Sequence, residues 1–273
     1  MNQNPFSIYD FLGYMIPGGL FLYLLYFCGI TLDWDVIIQL QKTAIAQKSS
    51  LSLLGYSSII ILAYIIGHAI AICSAFLIEK YMNDTLQYPS IYLFGKLNND
   101  FKEQAKRVHR CIITKIILLP LCILDRIFFD NSYSKALPKH LALTLWSKLE
   151  LSYKKIFLVD LSKLKNKHAL QDDLFRLAYH YSYEHSSNHQ PKIQNYVALY
   201  GFCRNVCLVF LLFSWVAFIT LLINILTNEG CWFNFLSTLT MLLMTYVFYC
   251  GFVKFYRRYT LEVFMAFSVL KTD

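Results

Sequence analysis

Residues 49–78 read SSLSLLGYSSIIILAYIIGHAIAICSAFLI, thirty residues without an Asp, Glu, Lys or Arg. A helix needs about 20 residues to cross the roughly 30 Å hydrocarbon core of a bilayer. Backbone amides facing lipid must be satisfied within their own segment, so a helix is the default for such a run. Three more stretches are equally free of charge: 11–32, 205–228 and 230–253. Four transmembrane helices are therefore predicted. Composition agrees, since 57% of the 273 residues are hydrophobic and 15% are charged. Relative to soluble domains that is about ten points more apolar and ten points less charged. Disordered, collagen-like and secreted disulfide-framework proteins are excluded.

Charge orients the predicted spans. Between the first two lie Lys42 and Lys48 against Asp33 and Asp35, and between the last two only Glu229. Residues 79–204 hold 19 Lys/Arg against 11 Asp/Glu, a net of +8, and Lys254, Arg257 and Arg258 follow the last span. Positive-inside bias predicts that the long loop and both termini face the cytoplasm. The first ten residues lack Lys and Arg and no small-residue cleavage site follows, so the first span is expected to remain in the mature protein. The basic balance, with a pI near 9.0, suits anionic lipid headgroups. Lys154–Lys155 and Lys163–Lys165–Lys167 form only a weak version of the basic stripe that nucleic-acid or nucleotide binding would use.

The expected fold class is all-α, a polytopic membrane protein with a cytoplasmic helical domain between spans two and three. Its parts are an N-terminal transmembrane hairpin (1–78), the cytoplasmic domain (79–204), a C-terminal transmembrane hairpin (205–253) and a basic tail (254–273). Within the domain, Asn98–Asn99–Asp100 can cap a helix through Phe101, Ala105, Val108 and Ile112. Pro138 opens a second helix through Leu141, Leu145 and Leu149, and Asp172–Asp173 a third through Phe175 and Ala178. Ser186–Ser187–Asn188 and Pro191 mark a break. A fifth apolar run, 116–124, is too short to span and carries Pro120, with Lys115 and Asp125 at its ends. It reads as a core or interfacial helix of the domain, or else as a re-entrant segment.

His68, inside the second span, is the first candidate for function, because ionisable residues within membranes are costly and serve packing, proton relay or gating. Around it Ala63, Gly67, Ala71 and Ala75 recur every four residues, the small-residue face along which helices approach closely in lipid. That face can mate within the chain or with a second subunit. Pro17–Gly18–Gly19 predicts a kink or hinge in span one, or a span that starts only at Pro17. Glu79 and Arg204 end spans two and three at the same membrane face and could form an ion pair there. His180, Glu184, His185 and His189 cluster without an HExxH pattern, and a solvated helix end is the simpler reading than a metal site. None of the eight cysteines forms a CxxC, and Cys28 with Cys231 is the one conceivable disulfide. No cofactor or metal is expected. Signatures of hydrolases, P-loop and dinucleotide enzymes are missing, and the Arg176–His180 spacing is one residue too short for a HEPN ribonuclease, so no enzyme is expected.

Gly67–His68, Ser74, Glu79–Lys80, Tyr88–Pro89–Ser90, Tyr200–Gly201–Phe202 and Arg204–Asn205 resemble uncharacterised bacterial four-span inner-membrane proteins with a cytoplasmic helical insertion. Proteins of that kind are seen as membrane partners in anti-phage defence, where a cytosolic sensor triggers damage to the membrane. The resemblance implies an oligomeric, pore-like effector of the bacterial inner membrane, acting within the lipid bilayer on a cytoplasmic signal. A non-conducting anchor for a cytosolic protein bound through 79–204 is the alternative.

Overall fold

The structure, a computed structural model, describes residues 10–46, 53–94, 112–128, 134–161, 173–228 and 230–270. Among these there is no strand. The helices are α1 (Phe11–Thr31), α2 (Asp35–Ala46), α3 (residues 53–86), α4 (Pro89–Tyr92), α5 (Ile112–Phe128), α6 (Lys139–Phe157), α7 (Asp173–His185), α8 (Gln190–Leu226) and α9 (Trp232–Val269). Four stretches are long and apolar enough to cross a membrane: Phe11–Thr31, Ser57–Tyr92, Gln190–Leu226 and Trp232–Val269. By length and composition the chain is an all-α, multi-pass membrane protein. The helix expected to start at Asn98 lies outside the described residues, apart from Ile112.

α8 and α9 organise everything else. They have 37 and 38 residues, so each is roughly 55 Å long at 1.5 Å per residue, nearly twice a hydrocarbon core. They pair as a hairpin whose turn, at Thr227–Asn228, will be called the distal end; the opposite end carries α6 and α7 and will be called the domain end. Neither helix breaks at residues 204–205 or 253–254, the expected domain boundaries. Arg and Lys are good helix formers. Their arrival marks where apolar surroundings stop, and the helix carries on.

Two cores share this hairpin. Toward the distal end, Leu24, Ile70, Ile78, Met82, Leu208, Leu211 and Phe252 interlock α1, α3, α8 and α9. At the domain end, Leu145, Leu149 and Tyr153 of α6 and Ala178 of α7 close over Ile193, Val263, Phe264 and Phe267. The Tyr153 hydroxyl donates to the Leu174 carbonyl at 2.7 Å, and burial pushes its phenol above the usual range. Residues 254–273, expected as a basic tail, thus supply a wall of the domain core through Tyr259, Val263, Phe264, Ala266 and Phe267. Segment 79–204 is not a self-contained unit, because without that wall its largest aromatic surfaces would lie open. α6 stops at Phe157, where Leu158 turns left-handed at φ 58°. Pro191 opens α8, just after the break expected near residues 186–188.

The short apolar run departs from the first of the places expected for it, the core of the domain. It forms α5 but does not enter the domain core. Leu118 and Leu121 are fully buried against the core of the four long helices. Three hydrogen bonds fasten α5 there: Trp215 Nε1 to the Ile117 carbonyl (3.1 Å), Tyr246 to the Phe128 carbonyl (2.8 Å) and Tyr81 to Asp125 Oδ2 (2.9 Å). Pro120 interrupts the helix's own ladder, and such kinks loosen nearby carbonyls. An indole N–H from α8 fills one of them.

Candidate functional site

A connected group of buried polar side chains lies at the domain end of the bundle, where α1, α3 and α8 meet. Pro17 is the starting point. It has no N–H to offer the Gly13 carbonyl four residues before it, and the preceding turn, Phe11–Met15, is π-helical. Asn205 Nδ2 of α8 donates to that carbonyl at 2.7 Å. The Oδ1 of the same amide accepts from Ser74, whose hydroxyl also lies 3.0 Å from the Ala71 carbonyl. Arg204 Nε donates to Ser74 at 3.1 Å, its Nη2 reaches the Ala71 carbonyl at 3.4 Å, and its Nη1 bonds Glu79 Oε2. The chain of contacts Glu79–Arg204–Ser74–Asn205–Gly13 ties three helices together. Ser74 and Asn205 are almost wholly buried, and the ion pair at its end is part-buried.

The local sequence explains why α3 can supply two of these groups. A π turn, Ala75–Glu79, lies between Ser74 and Glu79. Such turns insert one residue into the helix and re-aim the side chains around it. Arg204 can therefore reach Ser74, Glu79 and the Ala71 carbonyl together. Each side chain in it is matched to at least one partner, so the arrangement reads as a clamp. It offers no activated nucleophile.

One helical turn further into the bundle, α1 and α3 touch backbone to backbone. A Cβ on Gly67 would stand 2.0 Å from the Tyr14 carbonyl oxygen, and one on Gly18 would stand 1.8 Å from that of Ala63. Both positions need glycine. Ala63, Gly67 and Ala71 are buried and Ala75 is half-buried, so the small-residue face mates with α1 and α8 of the same chain. His68 is half-buried beside it. Its ring stacks on Tyr14, with centroids 3.9 Å apart and planes 20° apart, and meets Tyr64 edge-on at 4.6 Å. Gly18 is locked by contact, which a free hinge would not tolerate, whereas a Cβ on Gly19 would meet nothing within 4 Å.

The remaining candidates are dispersed. His180, Glu184 and His185 are exposed; His185 stacks on Tyr181, while His189 Nδ1 lies 2.7 Å from Glu262 Oε1. Cys28 and Cys231 are both free. Asn205 and Ser74 are the members whose role sequence reasoning missed. The available signal was chemical: an Asn beside a charged-run boundary, and a Pro in α1 that had to leave a carbonyl without its ordinary donor.

A cavity of about 390 Å³ opens at the distal end between α1, α8 and α9. Thr31, Thr220, Asn224, Asn234 and Ser237 line its outer part, with Leu24, Phe213 and Met241 deeper. No protein-family model, no curated protein and no solved structure matches the chain.

Proposed function

We propose that this chain is an effector of the bacterial inner membrane, working as an oligomer in anti-phage defence, which turns an event at its cytoplasmic domain into a change of membrane permeability. The carrying observation is that α8 and α9 run without a break from the aromatic core of the domain into the apolar bundle. A ligand or partner that shifts α6 and α7 moves the spans with them. The distal cavity supports a channel-like reading, because polar side chains near the membrane surface give way to an apolar floor, and apolar constrictions close channels by dewetting. Orientation rests on Lys80, Arg204, Lys254 and Arg257 at the domain end, which favours a cytoplasmic domain and cytoplasmic termini.

A second reading, a non-conducting anchor for a cytosolic protein, draws support from the α1–α3 contact. That contact is satisfied within one chain and needs no second copy. Membrane potential separates the two. With a voltage-sensitive dye, induction of the intact chain depolarises bacteria, and Gly67→Leu and His68→Leu at equal expression do not. Unchanged potential in cells that also carry the protective trigger would discard the effector in favour of the anchor.

A further inference from the structure

α5 has two apolar faces, and the bundle covers one of them. Leu118 and Leu121 are buried in the core, whereas Ile113 (66% exposed), Ile116 (53%), Ile123 (48%) and Ile127 (65%) form a stripe at helical spacing on the other side. An open apolar stripe on a helix in water is costly, since each buried CH₂ is worth about 0.8 kcal/mol. Its position says what covers it. Ile117 is bonded to Trp215, eleven residues past Arg204 along α8, which is roughly 16 Å into the bundle from the domain end. That depth is about half of a hydrocarbon core. The spans on which α5 packs are themselves open and apolar, with Phe218 and Ile219 of α8 and Leu239 and Leu243 of α9 exposed. Arg126 is exposed on the same helix beside Asp125, which Tyr81 holds near the domain end, and its long stem can carry the charge to phosphate while the helix body stays in acyl chains.

We infer that Ile112–Phe128 is a fifth membrane-embedded helix, inserted into the leaflet on the domain side without crossing, and that phospholipid acyl chains cover its Ile113/Ile116/Ile123/Ile127 face. The inference rests on the multi-pass membrane reading and is independent of whether the protein conducts. A membrane-perturbing protein gains from this element a direct hold on one leaflet, coupled through Tyr81, Trp215 and Tyr246 to three spans.

The test places a photoreactive phenylalanine analogue at position 123 or 116 of the full-length chain in bacterial membranes and identifies the adduct by mass spectrometry. Position 61 on α3 is the lipid-facing reference, and position 151 on α6 is the exposed site outside the membrane. Phospholipid adducts at 116 and 123 as abundant as at 61, with none at 151, support the inference. Adducts to protein, whether a second copy or this chain's own residues, overturn it when 61 still captures lipid. Failure to capture lipid at 61 as well would remove the membrane reading together with the inference.

Discussion

The two halves of the α8–α9 hairpin are held by different chemistry. Around the apolar half, rings also meet, as Phe210 does Phe248 and Phe21 does Phe213, but α1 and α3 join each other and α8 through glycine against carbonyl and one chain of buried polar groups: Gly67 at Tyr14, Gly18 at Ala63, Asn205 at Gly13. Around the domain half, they meet through rings. Tyr153, Phe157 and Tyr181 surround Phe267, and Phe175 and Phe94 pack on Phe264. Solvent explains the contrast. In lipid no hydrophobic force draws helices together, so close backbone approach and hydrogen bonds do the joining. In water, burying large aromatic surfaces is the strongest available drive. One pair of helices therefore obeys two sets of rules along its length, and the change falls near Tyr200 and Tyr256, which pack against both cores.

The contrast can be broken by experiment. The bundle should be most sensitive to atoms added, the domain to atoms removed. Phe264→Ala should have the largest effect, about 4 kcal/mol of lost stability for a fully buried ring. It should appear in limited proteolysis as cleavage within α6 and α7 while the spans stay protected; simultaneous loss of both halves would mean a single cooperative unit. Gly67→Ala comes next, at up to about 3 kcal/mol from overpacking, since even a methyl cannot sit 2.0 Å from a carbonyl oxygen. Thermal aggregation in detergent should fall by many degrees, and an unchanged midpoint would mean that α1 and α3 are not in backbone contact. Asn205→Ala is the smallest of the three, about 1 kcal/mol, in keeping with measured interhelical hydrogen bonds in membranes. Removing Asn205 should matter much less in a Pro17→Ala background, where Gly13 regains an internal donor. Additive losses in the double variant would refute the link between that proline and that amide.

Much of this was legible in the sequence, and the physics says which part. Charge-free runs report on solvent, so the number and approximate place of the long apolar helices could be read directly from 49–78 and its three counterparts. A helix repeats every 3.6 residues, so the spacing of Ala63, Gly67, Ala71 and Ala75 puts them on one face, whose first three members are buried and whose last is half-buried. Helix ends were another matter. The charges at Arg204 and Lys254 mark a change of surroundings without stopping a helix, so the tail that became a wall of the domain core was misjudged. The place of α5 stayed open between a core helix of the domain, an interfacial helix and a re-entrant segment, because its shortness, Pro120, Lys115 and Asp125 fit any of these. Its true seat depends on Trp215, Tyr246 and Tyr81, which are far away in sequence. The amide that completes the clamp was invisible for the same reason.

Synthesis order gives the clamp a further consequence. Ser74 precedes its partner Asn205 by 131 residues, and Gly13 precedes it by 192. At about 5–20 residues per second of translation, the first hairpin, once Ser74 is made, waits roughly 6 to 26 seconds for the residue that satisfies it. Throughout that time the carbonyl left open by Pro17 has no donor from α8, and Glu79 lacks Arg204. The newborn N-terminal half is thus chemically unlike the finished one, with the Gly13 carbonyl and the Glu79 carboxylate still waiting for partners made more than a hundred residues later.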